Sequence, residues 1–208
     1  MNRIRRDVSS SPIIGAVLAG GQSKRMGRPK HSILLRDGIS MIEHVITALQ
    51  VCGNRIAVVG IDELPKLKTD AELIPVADEF PHLGPLAGVD ALLSSGLAQG
   101  YIIAACDQPL LTPSLVSRLL REAGSNGSFF GLRGRIEDPL PCYIPSHWQP
   151  SVRKAILDNQ LSLRNLGEKL GANLLEIDDQ ERKHLINFNE PEDFARLGVA
   201  QAAGAPHA

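Results

Sequence analysis

The stretch Ile13-Ile14-Gly15-Ala16-Val17-Leu18-Ala19-Gly20-Gly21-Gln22-Ser23-Lys24-Arg25-Met26-Gly27-Arg28-Pro29-Lys30 decides how the rest of the chain is read. Its apolar opening, Ile13 to Ala19, predicts a buried strand. The strand stops at Gly20-Gly21, where two glycines allow a sharp bend and present backbone amides without side-chain obstruction. Lys24, Arg25, Arg28 and Lys30 follow at once. A glycine bend followed by cations suits a polyphosphate. A P-loop has four residues between its glycines and then Lys-Ser/Thr. Here five residues separate Gly21 from Gly27, and Arg28-Pro29 follows. The dinucleotide fingerprint G-x-G-x-x-G is also absent. Taken alone, the bend is either a phosphate cradle or a tight strand-to-helix turn with solvated cations.

Working outward, Ser40 with Glu43 three residues later forms a capping box. Ile42, Val45, Ile46 and Leu49 then give a helix with one apolar face, ended by Gly53. Ile56–Val59 predicts a second buried strand. Leu73–Val76 predicts a third, placed near an edge or an end by Pro75. Gly84-Pro85 opens a helix with a stripe of Leu86, Val89, Leu92 and Leu93. Tyr101–Cys106 is the most continuously apolar strand, and Thr112-Pro113 starts the next helix. This alternation predicts an α/β fold with a doubly wound, mostly parallel sheet.

Beyond Gly124 the pattern changes. Ser128–Arg133 and Leu140–Tyr143, separated by the turn Gly134-Arg135, predict a small antiparallel addition. Helices are expected near Gln149–Leu157 and Ser162–Leu170. Short strands are expected at Leu174–Ile177 and Leu185–Phe188. A last helix is expected from Pro191, with Asn189 as cap.

The 208 residues suffice for one α/β domain, and the net charge of −1 favours neither nucleic acid nor an anionic membrane. Residues 1–11 are expected to be disordered, 12–198 to form the single domain, and 199–208 to be a flexible tail. Cys52, Cys106 and Cys142 form no CxxC or zinc pattern, and no apolar run is long enough for a membrane span. A cytoplasmic location is the expectation.

Asp107 follows the best strand, where ligands gather in open α/β sheets. Magnesium is commonly held by one or two carboxylates plus substrate phosphates. Asp107 is therefore either a Mg²⁺ ligand or a turn carboxylate.

The order Leu-Ala-Gly-Gly-x-Ser-x-Arg-Met-Gly-x-x-Lys at Leu18–Lys30 resembles the signature of nucleotidyltransferases with a Rossmann-like fold. The Gly-Gly form is most similar to the molybdenum cofactor guanylyltransferases. The segments Gly84–Gly88, Cys106–Pro109 and Asn187–Glu192 resemble the same family, although Pro29 stands where it typically has Asp. The middle of the chain, 125–177, carries no segment that aligns. The resemblance implies a Rossmann-like three-layer sandwich. It also implies Mg²⁺-dependent transfer of GMP from GTP to molybdopterin-bound molybdenum cofactor, with release of pyrophosphate. By the same resemblance Leu18, Ala19, Gly20, Gly21, Lys30, Asp78 and Asp107 hold the nucleotide. Arg25, Lys30 and Asp107 act in catalysis, Asp107 binds the metal, and Asn187 and Asn189 face the acceptor. Glu79 is the rival to Asp78. Outside the aligned segments, Glu137-Asp138-Pro139 is expected to border the acceptor site. Molybdoenzyme maturation proteins are the implied partners. Two alternatives stay open. One is a relative using CTP or a sugar-phosphate acceptor. The other is a non-catalytic nucleotide-binding protein, which would keep the glycine bend but have no need of Asp107.

Overall fold

A computed structural model describes residues 13–20, 32–35, 37–61, 64, 66–80, 83–189 and 193. The expectations for Gly21, Arg25, Lys30, the helix from Pro191 and both termini lie outside these residues. β1 (Ile14–Leu18), β2 (Arg55–Val59), β3 (Glu72–Val76) and β4 (Gly100–Ala105) form a parallel block in the order β3-β2-β1-β4. Beyond β4 the sheet turns antiparallel. β7 (Cys142–Pro145) pairs with β4 and with the start of β5 (Ser128–Leu132), and β6 (Arg135–Ile136) pairs with the end of β5. β8 (Asn173–Glu176) adds in parallel to β5. The mostly parallel sheet, the edge position of β3 and the antiparallel addition are as the sequence predicts.

Strand residues alternate between two cores. Ile14, Ala16, Ala57, Tyr101 and Ile103 pack beneath α2 (Pro85–Ser95), α4 (Gln149–Leu157) and α5 (Leu163–Lys169). Val17, Ile56, Val58, Ile102 and Ala104 pack beneath α1 (Met41–Leu49) and α3 (Pro113–Arg121). Both faces of the parallel strands are thus covered, which is why these strands read as unbroken apolar runs. The result is the three-layer sandwich. Among the described residues, no helix is long and apolar enough to cross a membrane.

Helix starts follow local chemistry. The Ser40–Glu43 capping box forms, and Thr112 Oγ1 accepts from the Leu115 amide. Glu43 also reaches out of its helix to the Lys68 amide, fixing the loop before β3. Burial pushes the Glu43 carboxyl up, but hydrogen bonds from Ser40 and Lys68 outweigh it and hold the group below the usual carboxylate range.

Two expectations fail near the carboxyl end. Leu185–Phe188 is not a strand: Lys183–Leu185 is a 3-10 turn, and the chain then runs on irregularly through Asn189. The apolar residues Leu185 and Phe188 are three apart, a spacing for a turn and a plug rather than for strand alternation. Upstream, α6 (Asp179–Arg182) was not predicted; Asp178 and Glu181 form its capping box.

At the exit of β1, Gly20 faces Gly60. A Cβ on Gly60 would lie 2.7 Å from the Gly20 Cα, and Gly60 has a φ of +81°. Gly60→Ala should therefore destabilise the fold by about 1–3 kcal/mol. Gly124→Ala, with nothing within 4 Å of the added Cβ, should stay within about 0.5 kcal/mol of wild type. Urea denaturation of both variants checks the contrast, and equal midpoints would contradict it. A second expectation concerns Glu43. Its folded pKa is lowered, so its stabilisation is complete above the unfolded value of about 4.3 and is lost as pH falls through the folded value. Acid titration of the urea midpoint should show this loss in the wild type and a flatter profile in Glu43→Gln.

Candidate functional site

The site is built on one row of the sheet. Leu18 is in register with Val59 and Ala105, and Val59 with Val76. The chain leaves the sheet just past this row four times, bringing Gly20, Gly60, Asp78 and Asp107 to one edge. Backbone bonds continue the sheet past the row. The Cys106 amide donates to the Leu18 carbonyl at 3.0 Å, and the Gly60 amide to the Val76 carbonyl at 3.4 Å. The Ala19 and Gly20 amides both donate to the Val59 carbonyl, at 2.9 and 3.2 Å. This corrects one part of the sequence argument. The glycine bend was expected to offer its amides to phosphate, but these two are turned to β2. Ala19 is buried in the core and Gly20 is exposed at the edge.

Asp78 and Glu79 take different surroundings. Asp78 is half-buried, and its Oδ1 accepts the Phe80 amide at 2.8 Å. Glu79 is exposed and bound by Arg153, both of whose terminal nitrogens lie 3.1 Å from its Oε2. Just beyond, Gly84 adopts a φ of +79° at the head of α2, with Pro85 as the first helical residue.

Asp107 connects the two halves of the sheet. β4 borders both, parallel to β1 and antiparallel to β7. The Asp107 carbonyl accepts the Phe188 amide at 2.7 Å. Phe188 is fully buried against Ile33, Leu35, Met41 and Leu110, which plugs the late segment onto the end of β4. Beside it Gln108, also fully buried, accepts from the Ala105 amide and donates to the carbonyls of Leu140 and Leu185. These bonds bring Asp138 and Asn187 up to Asp107.

Asp138 accepts from the Leu140 amide at 3.1 Å and from the side-chain amide of Asn187. Burial, aided by the nearby charge of Asp107, pushes the Asp138 carboxyl above its ordinary range despite those two bonds. Both side chains line a cavity of about 230 Å³, together with Phe130, Leu185, Ile186 and Arg182. Arg182 pairs with Glu137 at 2.8 Å on the rim. Asn189 is exposed, is not part of this lining, and donates its backbone amide to Asp193 at 2.8 Å.

The sequence reading thus finds Leu18, Ala19, Gly20, Asp78 and Asp107 gathered along one edge, with Asn187 on the adjoining cavity. It missed Gln108 as the residue that ties the segments together. The signal was present: a polar side chain next to a buried strand end needs partners. It also missed the Arg153–Glu79 pair, for which local sequence holds no signal.

The donor chemistry can be tested against a divalent ion. Among the described residues, no group of three or more His, Cys, Asp and Glu could hold a metal by itself. A hard ion bound by one carboxylate and completed by substrate phosphates needs no such cluster. Asp107 fits that mode. Two carboxylates brought close together, Asp107 and Asp138, also favour a cation between substrate and protein.

Comparison with known proteins places the chain in a family. The family described as the MobA-like NTP transferase domain matches residues 15–174. A probable molybdenum cofactor guanylyltransferase of Carboxydothermus hydrogenoformans is 30% identical over 191 residues, covering 88% of this chain and 93% of the relative. A probable molybdenum cofactor guanylyltransferase of Mycobacterium tuberculosis is 32% identical over 178 residues, covering 82% of this chain and 83% of the relative. The crystal structure of molybdopterin-guanine dinucleotide biosynthesis protein A from Archaeoglobus fulgidus is similar with a TM-score of 0.68 at 25% identity, covering 88% of this chain and 95% of that one. The fold, the site edge and these relatives together establish that the chain belongs to the MobA-like NTP transferase family and is a nucleotidyltransferase.

Proposed function

We propose that the protein transfers GMP from GTP to the terminal phosphate of molybdopterin-bound molybdenum cofactor, forms the guanine dinucleotide cofactor and releases pyrophosphate in a Mg²⁺-dependent reaction. The observation that carries this reading is the position of Asp107. Its own strand end is bonded to the root of the glycine bend through Cys106 and Leu18, and to the cavity segment through Phe188. A carboxylate there stands between a nucleotide over Leu18–Gly21 and an acceptor in the cavity beside Asn187. The names of the relatives from C. hydrogenoformans, M. tuberculosis and A. fulgidus support guanine as the base and the molybdenum cofactor as the acceptor.

In the proposed reaction an acceptor phosphate oxygen forms a bond to the α-phosphorus of GTP. The bond from that phosphorus to the α–β bridging oxygen breaks, and pyrophosphate leaves with the electron pair. Mg²⁺, when bound, neutralises phosphate charge. Leu18–Gly21 form the floor for the nucleotide, and Arg25 and Lys30 hold the phosphates and the departing pyrophosphate. Asp78 orients the nucleoside end. Asp107 would hold the ion together with substrate phosphates, and Asn187 orients the acceptor in the cavity. Phe130, Leu185 and Ile186 give one side of the cavity an apolar wall. The chemistry then rests on positioning and charge stabilisation, with no protein nucleophile. The reaction is assigned to the cytoplasm, with molybdoenzyme maturation proteins as recipients of the product.

Pyrophosphate release measured with GTP, CTP and ATP, with and without acceptor, tests the reading. GTP with acceptor and Mg²⁺ should turn over fastest, and Asp107→Asn should lower kcat by about 10²–10³-fold. Turnover that is indifferent to Asp107, or fastest with CTP, contradicts it. Asn187→Ala should raise the KM for acceptor roughly tenfold, the effect of one lost buried hydrogen bond, with the KM for GTP unchanged. Equal rises in both would place Asn187 outside the acceptor site.

A further inference from the structure

On the far side of the nucleotide edge from Asp107, one guanidinium gathers four groups from two other segments. Arg153 projects from α4. Its Nε donates to Asp90 Oδ1 at 3.1 Å, and its Nη2 lies 2.8 Å from Asp90 Oδ2 without a well-directed bond to that oxygen. Nη1 and Nη2 both donate to Glu79 Oε2, and Nη2 also reaches Ser94 Oγ at 3.5 Å. The guanidinium lies over the Phe80 ring, 4.9 Å from its centroid. Asp90 and Ser94 belong to α2, whereas Glu79 and Phe80 belong to the segment between β3 and α2 that begins with Asp78.

We infer that Arg153 is a positioning residue for nucleotide binding, which clamps Glu79 and Phe80 to α2 and α4 and thereby fixes the direction of Asp78.

This inference rests on the nucleotide role proposed for Asp78. The coupling to Asp78 is short. Its Oδ1 accepts the amide of Phe80, the residue whose ring Arg153 covers. A shift of Phe80 moves the donor that holds the Asp78 carboxylate in its rotamer. Stability alone is a poor account of the cluster. Asp90 is 1% exposed, and burying such a pair seldom contributes net stability. The Glu79 arm is solvent-facing, where an ion pair contributes little. Directional control is what a planar, forked cation supplies when it engages a carboxylate on each side and stacks on a ring. Lysine, a single point charge, would keep the charge and lose the fork.

Steady-state kinetics with GTP, combined with thermal denaturation, test the inference. Arg153→Ala would leave Asp90 buried without its partner, so a folding defect would mask its kinetics. The decisive variants are therefore Arg153→Lys, Glu79→Ala and Phe80→Leu, the last two of which leave the Arg153–Asp90 pair in place. Each should raise the KM for GTP about threefold to tenfold and keep kcat within about twofold of wild type. In an Asp78→Ala background the same three changes should have no further effect on KM. If Asp78→Ala raises KM but the three variants change only the melting temperature, the inference is overturned and the role of Asp78 stands. If the variants raise KM equally with and without Asp78, Arg153 acts on the nucleotide by another route and the inference is again overturned. An unchanged KM in Asp78→Ala itself removes the nucleotide assignment of Asp78, and the inference with it.

Discussion

The carbonyl of Val59 accepts two amides, those of Ala19 and Gly20, and much of the site depends on this arrangement. It draws the exit of β1 against β2 at the point where Gly20 and Gly60 meet backbone to backbone. On the other side of β1 the Leu18 carbonyl is held by Cys106. The glycine bend therefore leaves the sheet from a position clamped by both neighbouring strands. Buried backbone groups left unpaired here would cost about 1–3 kcal/mol each. The clamp is thus a geometric constraint as well as a source of stability. It sets the height of the bend relative to Asp78 and Asp107 at the same edge.

The second constraint is the change of direction in the sheet at β4. Ligand sites of open parallel sheets collect beyond the carboxyl ends of strands, where the order of connection changes. Here β4 has a parallel partner on one side and an antiparallel partner on the other. Gln108, immediately after Asp107, bridges to Leu140 and Leu185 from two later segments. The chain thus gathers Gly20, Gly60, Asp78 and Asp107 at one edge of the parallel half, and a cavity on the antiparallel half. Across that seam the charge of Asp107 adds to burial in pushing the Asp138 carboxyl up. A carboxylate on each side of the seam needs a cation or a proton when both substrates are anionic, which makes the seam the natural place for charge neutralisation.

Much of this was legible in the sequence because it is locally encoded. Ser40 with Glu43, Thr112 with Pro113, and Gly84 with Pro85 mark helix starts by chemistry that operates over three or four residues. The apolar runs of β1, β2 and β4 reveal strands covered on both faces. Asp107 stood out because ligands gather beyond strand ends of open sheets, although position alone leaves a turn carboxylate as the other reading. What escaped the sequence depends on long-range fit. Gly60 is explained only by Gly20, a residue on another strand. Glu79 is explained only by Arg153, 74 positions later. The amides of Ala19 and Gly20 looked available because their acceptor, the Val59 carbonyl, is invisible in the sequence. The segment Leu185–Phe188 was read as a strand because apolar content was taken for alternation. Its three-residue spacing fits the turn and buried Phe188 that hold Asn187 beside the cavity.

The central claim is that Asp107 and the glycine bend act on the same triphosphate through a shared divalent ion. Calorimetric titration of GTP into the wild-type chain and Asp107→Asn, each with Mg²⁺ and with EDTA, tests it most directly. The account predicts that Mg²⁺ tightens GTP binding to the wild type, and that Asp107→Asn loses most of this gain while its affinity in EDTA is little changed. The same Mg²⁺-dependent gain in both proteins would contradict it.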